Sequence, residues 1–213
     1  LDSAARREGM ALIGHLPRNL PFDSILARRQ AMIAHAEELL YTALAARRDS
    51  ATVLATAQQL GAHGSWLTPT LAIYRAIGDQ VGRPAVVDSA LADSTLVLTA
   101  ELRRVWRSGI YTNRAATQQP AFRASLETLR ALTAAAHRAG VPLLAGTDTP
   151  LPLVAPGESL HDELDELVSA GLTREEALTS ATRRPGEFMQ RFTRREERFG
   201  VIAEGNVADL LLA

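Results

Sequence analysis

The feature that most constrains this fold is a set of four short apolar runs separated by stretches with helical periodicity. The runs cover residues 10–15, 31–35, 66–71 and 141–148. Each is nearly continuous in apolar residues rather than alternating, which is typical of strands buried on both faces of a parallel sheet. Alternation of such strands with helices predicts βα units and therefore an α/β fold.

Helices are predicted from apolar spacing and from residues that favour helix ends. We expect them over residues 23–29, 50–60, 88–107 and 121–138, with two more beginning near Ser159 and Thr173. The last of these has the spacing of a capping box between Thr173 and Glu176, and Pro185 is expected to end it.

The helix that begins near Ser159 has an apolar face at helical spacing. This face is formed by Leu160, Leu164, Leu167 and Val168, which are expected to be buried. The acidic residues between them fall near the helix N-terminus, where they suit the helix dipole. They are therefore predicted to lie on the polar, solvated side, and they are Asp162, Glu163, Asp165 and Glu166.

The C-terminal tail differs in pattern from the rest of the chain. Two apolar stretches, 199–202 and 208–212, flank the turn-forming sequence Glu204-Gly205-Asn206. This arrangement predicts a hairpin-like pair of short strands. We therefore expect a main domain over residues 1–198 and a separate strand-forming segment over 199–213.

Polar side chains end three of the apolar runs. His15, His35 and Asp148 each follow the C-terminal end of a predicted strand, which is where β/α barrels carry their active sites. Imidazole and carboxylate together form the usual ligand set for Zn²⁺ and related ions. Each residue alone has a structural alternative, as a hydrogen-bonded histidine or a turn-capping aspartate. Their common position nevertheless indicates a metal site.

The composition excludes several other chemistries. The chain has no Cys, and all 23 of its basic residues are Arg, so thiolate nucleophiles, Cys-ligated zinc and lysine chemistry are excluded. The formal net charge of -1 argues against a nucleic-acid surface and against a basic membrane-binding patch. No apolar run is long enough to span a bilayer.

Seven short motifs occur in an order that resembles a known family. They resemble the second half of an amidohydrolase-superfamily enzyme of the imidazolonepropionase-like and Xaa-Pro-dipeptidase-like branch. The motifs are Gly14-His15-Leu16-Pro17, Ile33-Ala34-His35-Ala36-Glu37-Glu38, Trp66-Leu67-Thr68-Pro69-Thr70, Ala145-Gly146-Thr147-Asp148, Ser159-Leu160-His161-Asp162-Glu163-Leu164, Ala170-Gly171-Leu172-Thr173 and the run from Gly200 to Leu210.

The resemblance implies a fold and a set of site residues. The four apolar runs would be strands five to eight of a TIM-type (β/α)8 barrel, and the tail would join a small β-sandwich. His15 and His35 would bind metal, although in some relatives the second of these contacts substrate. Asp148 would bind metal and act as the general base. The cofactor would be one or two divalent ions, most readily Zn²⁺.

His161 is a weaker candidate for a substrate contact. It lies at the start of the helix that follows the Asp148 loop. Its side chain could point toward a substrate, and a solvated position is the alternative. The substrate implied by the family has a C–N bond in a small amide, a cyclic amide or a dipeptide.

The chain departs from the family in what it lacks. An H-x-H pair on the first barrel strand and a carboxylated lysine on the fourth are both absent here. We therefore predict a fragment, inactive alone, whose structural partner is the missing N-terminal half. Self-association is also possible, and both a cytoplasmic and an exported location are compatible with the sequence.

Three alternatives remain open at this stage. The chain could be a non-catalytic, degenerate domain of the same fold, or a subunit that completes its barrel with a second chain. It could also be a different α/β enzyme that uses His15, His35 and Asp148 in another way. The upstream coding sequence distinguishes the first two from a fragment.

Overall fold

The computed structural model describes residues 2–193 and 196–211, which form a helix-rich α/β arrangement. The elements run in the order α1 (Asp2–Arg7), β1 (Ile13–Gly14), α2 (Phe22–Leu26), β2 (Met32–Ala34), α3 (Glu37–Tyr41), α4 (Ser50–His63), β3 (Trp66–Thr68), α5 (Leu71–Gln80), α6 (Pro84–Ala92), α7 (Ala100–Trp106), a 3₁₀ turn (Ala116–Gln118), α8 (Gln119–Arg138), α9 (Glu158–Ser169), α10 (Arg174–Ala181) and α11 (Arg183–Phe192).

The three strands form one parallel sheet in the order β1-β2-β3. The fourth predicted run adjoins β3 through a single parallel bridge between Leu67 and Leu143. The amide of Leu67 donates to the carbonyl of Pro142, and the amide of Leu144 donates to the carbonyl of Leu67. The predicted α/β class and parallel pairing are therefore confirmed, and the described sheet is a short open one.

Both faces of the central strands are covered. Leu67 of β3 is fully buried and belongs to a core that includes Leu60 of α4 and Leu129 and Leu132 of α8. On the opposite face, the ring of Trp66 packs edge-on against Phe188 of α11, with 5.3 Å between ring centroids. This two-sided burial explains why the runs read as continuously apolar.

Two helical regions differ from the sequence prediction. Leu71, expected at the end of a strand, instead begins α5, because the backbone of Thr70 turns into the left-handed region at φ 54°. The single helix expected over 88–107 is two helices, α6 and α7. Thr99 separates them by capping α7, accepting a hydrogen bond from the amide of Leu102.

Helix α9 buries acidic residues that were predicted to be solvated. Glu163 and Glu166 are buried, whereas Leu160 and Val168, predicted to be buried, are exposed. The reason lies in neighbouring elements, because Arg130 of α8 forms an ion pair with Glu166 at 2.7 Å. Leu167 is buried and Leu164 packs against the core, as predicted, so the buried face is only partly the predicted one. Partners on other helices are invisible to helical periodicity.

The end of the helical region follows the sequence prediction more closely. Thr173 and Glu176 form the predicted capping box at the start of α10. That helix ends at Ala181, four residues earlier than the proline expected to end it. Pro185 instead lies in the first turn of α11, where the missing amide of a proline is tolerated.

The tail does not form the predicted pair of strands. Described residues 196–211 contain neither helix nor strand, and the arms of the turn are joined by a hydrogen bond from the amide of Val207 to the carbonyl of Arg198. An isolated two-stranded hairpin is marginal without a neighbouring strand, which accounts for the difference. Leu212 and Ala213 of the expected segment lie outside the described residues.

Candidate active site

The three residues singled out at strand ends lie together in the structure. His15 directly follows β1 and His35 directly follows β2, and their ring centroids are 4.8 Å apart. Nε2 of His35 lies 3.9 Å from Oδ1 of Asp148, which follows the bridge at Leu143. Parallel pairing explains this convergence, because equivalent ends of parallel strands meet at one edge of the sheet.

Backbone conformation directs two of these side chains. His35 and Asp148 adopt the left-handed region, with φ of 68° and 53°. Non-glycine residues rarely adopt this region, and such strain concentrates at functional sites. Both residues therefore hold a backbone conformation that few non-glycine residues adopt.

His35 is oriented through its Nδ1 atom. Oγ1 of Thr70 lies 2.9 Å from Nδ1 of His35 and donates its own hydrogen to the carbonyl of Pro69 at 2.7 Å. With the hydroxyl hydrogen directed to Pro69, Nδ1 of His35 is the donor to Thr70. The lone pair of the neutral ring is then on Nε2, which faces Asp148.

His15 is oriented in the same way by a carboxylate. Nδ1 of His15 lies 2.8 Å from Oε1 of Glu38, whose side chain is 2% exposed. The guanidinium of Arg18 donates to both oxygens of Glu38 and stacks 4.0 Å from the ring centroid of Tyr41. A carboxylate behind Nδ1 is the support that proteins give to metal-binding histidines.

The protonation of these groups is consistent with that arrangement. Burial lowers the pKa of His35 below its ordinary value, against an opposing effect of Asp148. Burial raises the pKa of Glu38, but hydrogen bonds from Arg18 and His15 outweigh it and hold the pKa below its usual range. At neutral pH, Glu38 is thus an acceptor and the ring of His35 is favoured in its neutral form.

Nε2 of His35 and Oδ1 of Asp148 are both acceptors, and 3.9 Å is too long for a hydrogen bond between them. Two facing acceptors fit a divalent cation or a donor placed between them. Within residues 2–193 and 196–211, however, no group of three His, Asp or Glu side chains forms an arrangement that could hold a metal ion. The described residues therefore offer part of a ligand set.

A small cavity opens beside His35 and Asp148. Its volume is about 170 Å³, and its walls combine aromatic and aliphatic side chains with several polar and charged groups. The lining residues other than these two are Glu37, Tyr41, Ile73, Tyr74, Ile77, Tyr111, Arg114, Phe122 and Leu151. A pocket of this kind next to polar groups is the usual form of a small-molecule site.

The remaining histidines lie away from this cluster or on the surface. His161 is exposed on α9. Ser159 and Glu163, each two residues away along the helix, are buried, so His161 lies on nearly the opposite face of the helix from them. Its substrate contact stays a prediction. His63 is exposed at the end of α4, where Nδ1 lies 2.9 Å from the carbonyl of Gln59, and His137 contacts Glu176.

Sequence reasoning missed the residues that orient the imidazoles. Glu38 follows His35 by three positions and Thr70 ends the Thr68-Pro69-Thr70 motif, so both lie in segments already singled out. Their roles could not be derived, because each acts on a histidine through a contact between different βα units. Arg114 carried no signal at all, since it lies in an irregular segment.

Comparison with known proteins shows what this arrangement resembles. The chain superimposes on bottromycin amidohydrolase with a TM-score of 0.66 and 24% identity, over 94% of this chain and 45% of that one. It also matches a prolidase in complex with N-methylphosphonate-L-proline, with a TM-score of 0.55 and 19% identity, over 97% and 39% of the two chains. The chain has the fold of the matched part of these two proteins. The resemblance inferred from the motifs is therefore confirmed at the level of the fold.

The chain also matches a third solved structure, of a protein described as uncharacterised, with a TM-score of 0.56 and 20% identity. This chain spans 39–45% of the length of these solved proteins. The sequence matches no protein-family model and no curated protein. Among the helices of the described residues, none is long and apolar enough to cross a membrane.

Proposed function

We propose that this chain supplies the second part of a metal-dependent amidohydrolase that cleaves a C–N bond. In this proposal the strand-end segments correspond to strands five to eight of a (β/α)8 barrel. His15, His35 and Asp148 are metal ligands, and the ion is Zn²⁺ or a similar divalent cation. Residues 199–213 belong to a small β-sandwich completed by another part of the protein.

The observation that carries the proposal is the shared orientation of the two imidazoles. Each is held at Nδ1 by an acceptor, Glu38 for His15 and Thr70 for His35. Both rings therefore keep their Nε2 lone pair available. In His35 that lone pair faces a carboxylate oxygen of Asp148 across 3.9 Å, with no hydrogen bond possible between them.

Asp148 has the position needed for proton transfer. Its side chain is 47% exposed, beside a cavity large enough for a small substrate. Its carboxylate takes a proton from the attacking water and delivers it to the leaving nitrogen as the C–N bond breaks. A bound divalent ion supplies the Lewis acidity that polarises the carbonyl group and makes water acidic at neutral pH.

The ligands that complete the set lie outside the described residues in this proposal. Support comes from the partial coverage of the solved proteins and from the exposed outer strand, where the side chain of Ile13 is 52% exposed. The remaining strands and ligands are supplied by an upstream segment or by a second chain. A single-chain and a two-chain enzyme share the same chemistry at His35 and Asp148.

The substrate proposed from the fold is a small amide, a cyclic amide or a dipeptide. The two named structural relatives are an amidohydrolase and a prolidase. The cavity beside Asp148 is small and combines polar groups with aromatic and aliphatic side chains, which suits a small organic substrate rather than a polymer.

Hydrolysis by the purified chain, alone and together with a polypeptide that supplies the first part of the fold, tests the proposal. We expect no appreciable turnover of amide or dipeptide substrates by the chain alone, because too few ligands are present. Turnover is expected in the completed protein with Zn²⁺, and it should fall by at least a thousandfold in Asp148→Asn.

His63→Ala is the matched control, because this histidine is exposed and hydrogen-bonded only to its own helix. Its completed protein should keep full activity. Robust turnover by the chain alone, or undiminished turnover in Asp148→Asn, contradicts the proposed division of the site.

A further inference from the structure

The cavity beside His35 and Asp148 holds one cation whose partner is not provided by the described chain. Arg114 lines this cavity from the segment that precedes α8. Its guanidinium carbon lies 5.3 Å from the ring centroid of Tyr111 and 5.8 Å from that of Phe122. Arg114 is exposed, and within the described residues no ion pair joins its guanidinium to a carboxylate.

The two rings hold this guanidinium at the cavity without neutralising it. Stacking on aromatic faces orients an arginine and leaves its N–H groups free to donate. Those donors form a planar fork that matches a carboxylate in geometry and charge. A ligand anion would therefore find an oriented partner at the wall of the cavity.

The other charged groups of the cavity restrict where an anion can bind. Asp148 and Glu37 line the same cavity and carry carboxyl groups. An anionic group near Asp148 or Glu37 would be repelled, so Arg114 is the favourable position for it. Apolar side chains such as Ile73 and Ile77 also line the cavity.

We infer that Arg114 is a substrate-anchoring residue that binds a carboxylate on the substrate of this site. This inference rests on the proposed function and narrows the substrate to one with a carboxylate separated by an apolar group from the bond that is cleaved. The cavity of about 170 Å³ has room for about five or six water molecules, which matches one small residue rather than a long chain.

The test compares two small probes that differ only in charge, N-acetyl-L-alanine and N-acetyl-L-alaninamide. Their affinities for the purified 213-residue chain are measured by calorimetry or ligand-observed NMR, with a chelator present. We expect the carboxylate to bind about fivefold to thirtyfold more tightly than the amide, as a charge-assisted hydrogen bond at a partly exposed site provides. Arg114→Gln should bring this ratio close to one while leaving the affinity of the amide unchanged.

Two further variants separate a specific contact from a change in overall charge. Arg114→Lys keeps the charge but not the fork, so an intermediate ratio is expected. Arg107→Gln removes an exposed arginine of the same region, and the wild-type ratio should persist. Equal binding of the two probes, no measurable binding of the carboxylate, or a preference that survives Arg114→Gln overturns the assignment.

Failure of the Arg114 assignment is distinguishable from failure of the proposed function. Because the binding ratio is measured with a chelator, it needs neither metal nor turnover. Loss of the ratio with intact metal binding at His35 and Asp148 refutes the anchor alone. A carboxylate preference that depends on Arg114 in a chain without metal affinity supports the anchor and refutes the metal site.

Discussion

The hydroxyl of Thr70 lies 2.9 Å from Nδ1 of His35 and fixes which nitrogen of that ring carries the hydrogen. Thr70 directly precedes α5 in a left-handed conformation, so the contact links the end of β2 to the start of a helix four elements further along the chain. The orientation of one imidazole thus depends on a residue 35 positions away.

Removing that hydroxyl should weaken metal binding without removing a ligand. Thr70→Val has nearly the same shape, so the main loss is the acceptor for Nδ1 of His35. We expect the affinity for Zn²⁺ to fall by about tenfold to a hundredfold, the usual effect of losing a supporting hydrogen bond behind a ligand. Thr70→Ser keeps the hydroxyl and should retain affinity close to wild type. Equal affinities for the Val and Ser variants in a competition titration contradict this role.

Glu163 should make stability depend on pH. Burial raises its pKa to about 8, although hydrogen bonds from backbone amides that include Ala72 act against it. The folded protein therefore holds a proton that the unfolded chain releases above its ordinary pKa of about 4.5. The free energy of unfolding should fall as pH rises from about 5 to about 8, by a few kcal/mol at most.

Glu163→Gln mimics the protonated form and tests this assignment. Urea unfolding across that pH range should show a much smaller slope for Glu163→Gln than for wild type. Glu158→Gln changes an exposed residue of the same helix and should leave the wild-type slope unchanged. If wild type and Glu163→Gln have the same pH dependence, the carboxyl is already ionised in the folded protein.

Gly186 provides a test of how the tail is attached. A Cβ atom at this position would lie 2.2 Å from the carbonyl oxygen of Phe199, which no real contact allows. Alanine ordinarily stabilises a helix interior by about 1 kcal/mol relative to glycine, but here it must displace the tail. Gly186→Ala should therefore accelerate tryptic cleavage after Arg198.

Gly78→Ala is the control for that experiment. It also replaces a helical glycine, but its Cβ atom would meet Phe122 at an ordinary 3.4 Å. Cleavage after Arg198 should proceed at the wild-type rate in this variant. An unchanged rate in Gly186→Ala contradicts tail docking at the start of α11.

The strands and their pairing could be predicted from the sequence because burial on both faces leaves a direct pattern. Ile33 and Leu67 are almost fully buried on one face, and Trp66 is buried on the other. Alternation with helices then left few topologies, of which a parallel sheet is the simplest. For the same reason, the predicted ends of the strands before His15 and His35 were enough to predict that both residues lie at one edge of the sheet.

Features that depend on distant partners could not be predicted. The burial of Glu166 depends on Arg75 and Arg130 from two other helices, so helical periodicity could not predict that this acidic residue is buried. Glu38 and Thr70 orient histidines across different βα units. The tail has strand-like sequence but no strand to pair with, so local preference alone was misleading.

The capping box at α10 shows the opposite case, in which a local signal was sufficient. The hydroxyl of Thr173 accepts a hydrogen bond from the amide of Glu176, and the carboxylate of Glu176 accepts one from the amide of Thr173. These contacts and His137 lower the pKa of Glu176 to about 2. Thr173→Ala should lower the free energy of unfolding by about 1 kcal/mol, measured by urea titration at neutral pH. An unchanged midpoint contradicts a stabilising cap.

Titration of the purified chain with Co²⁺, a spectroscopic substitute for Zn²⁺, tests the central claim most directly. The account predicts a visible absorption band that saturates at one equivalent with weak affinity in wild type and in His63→Ala. The band should be lost in His35→Ala and in Asp148→Asn, because the lone pair on Nε2 and the facing carboxylate are the two halves of the same site. If His35→Ala or Asp148→Asn shows the band with the same Co²⁺ affinity as wild type, or if wild type shows no band, the account is contradicted.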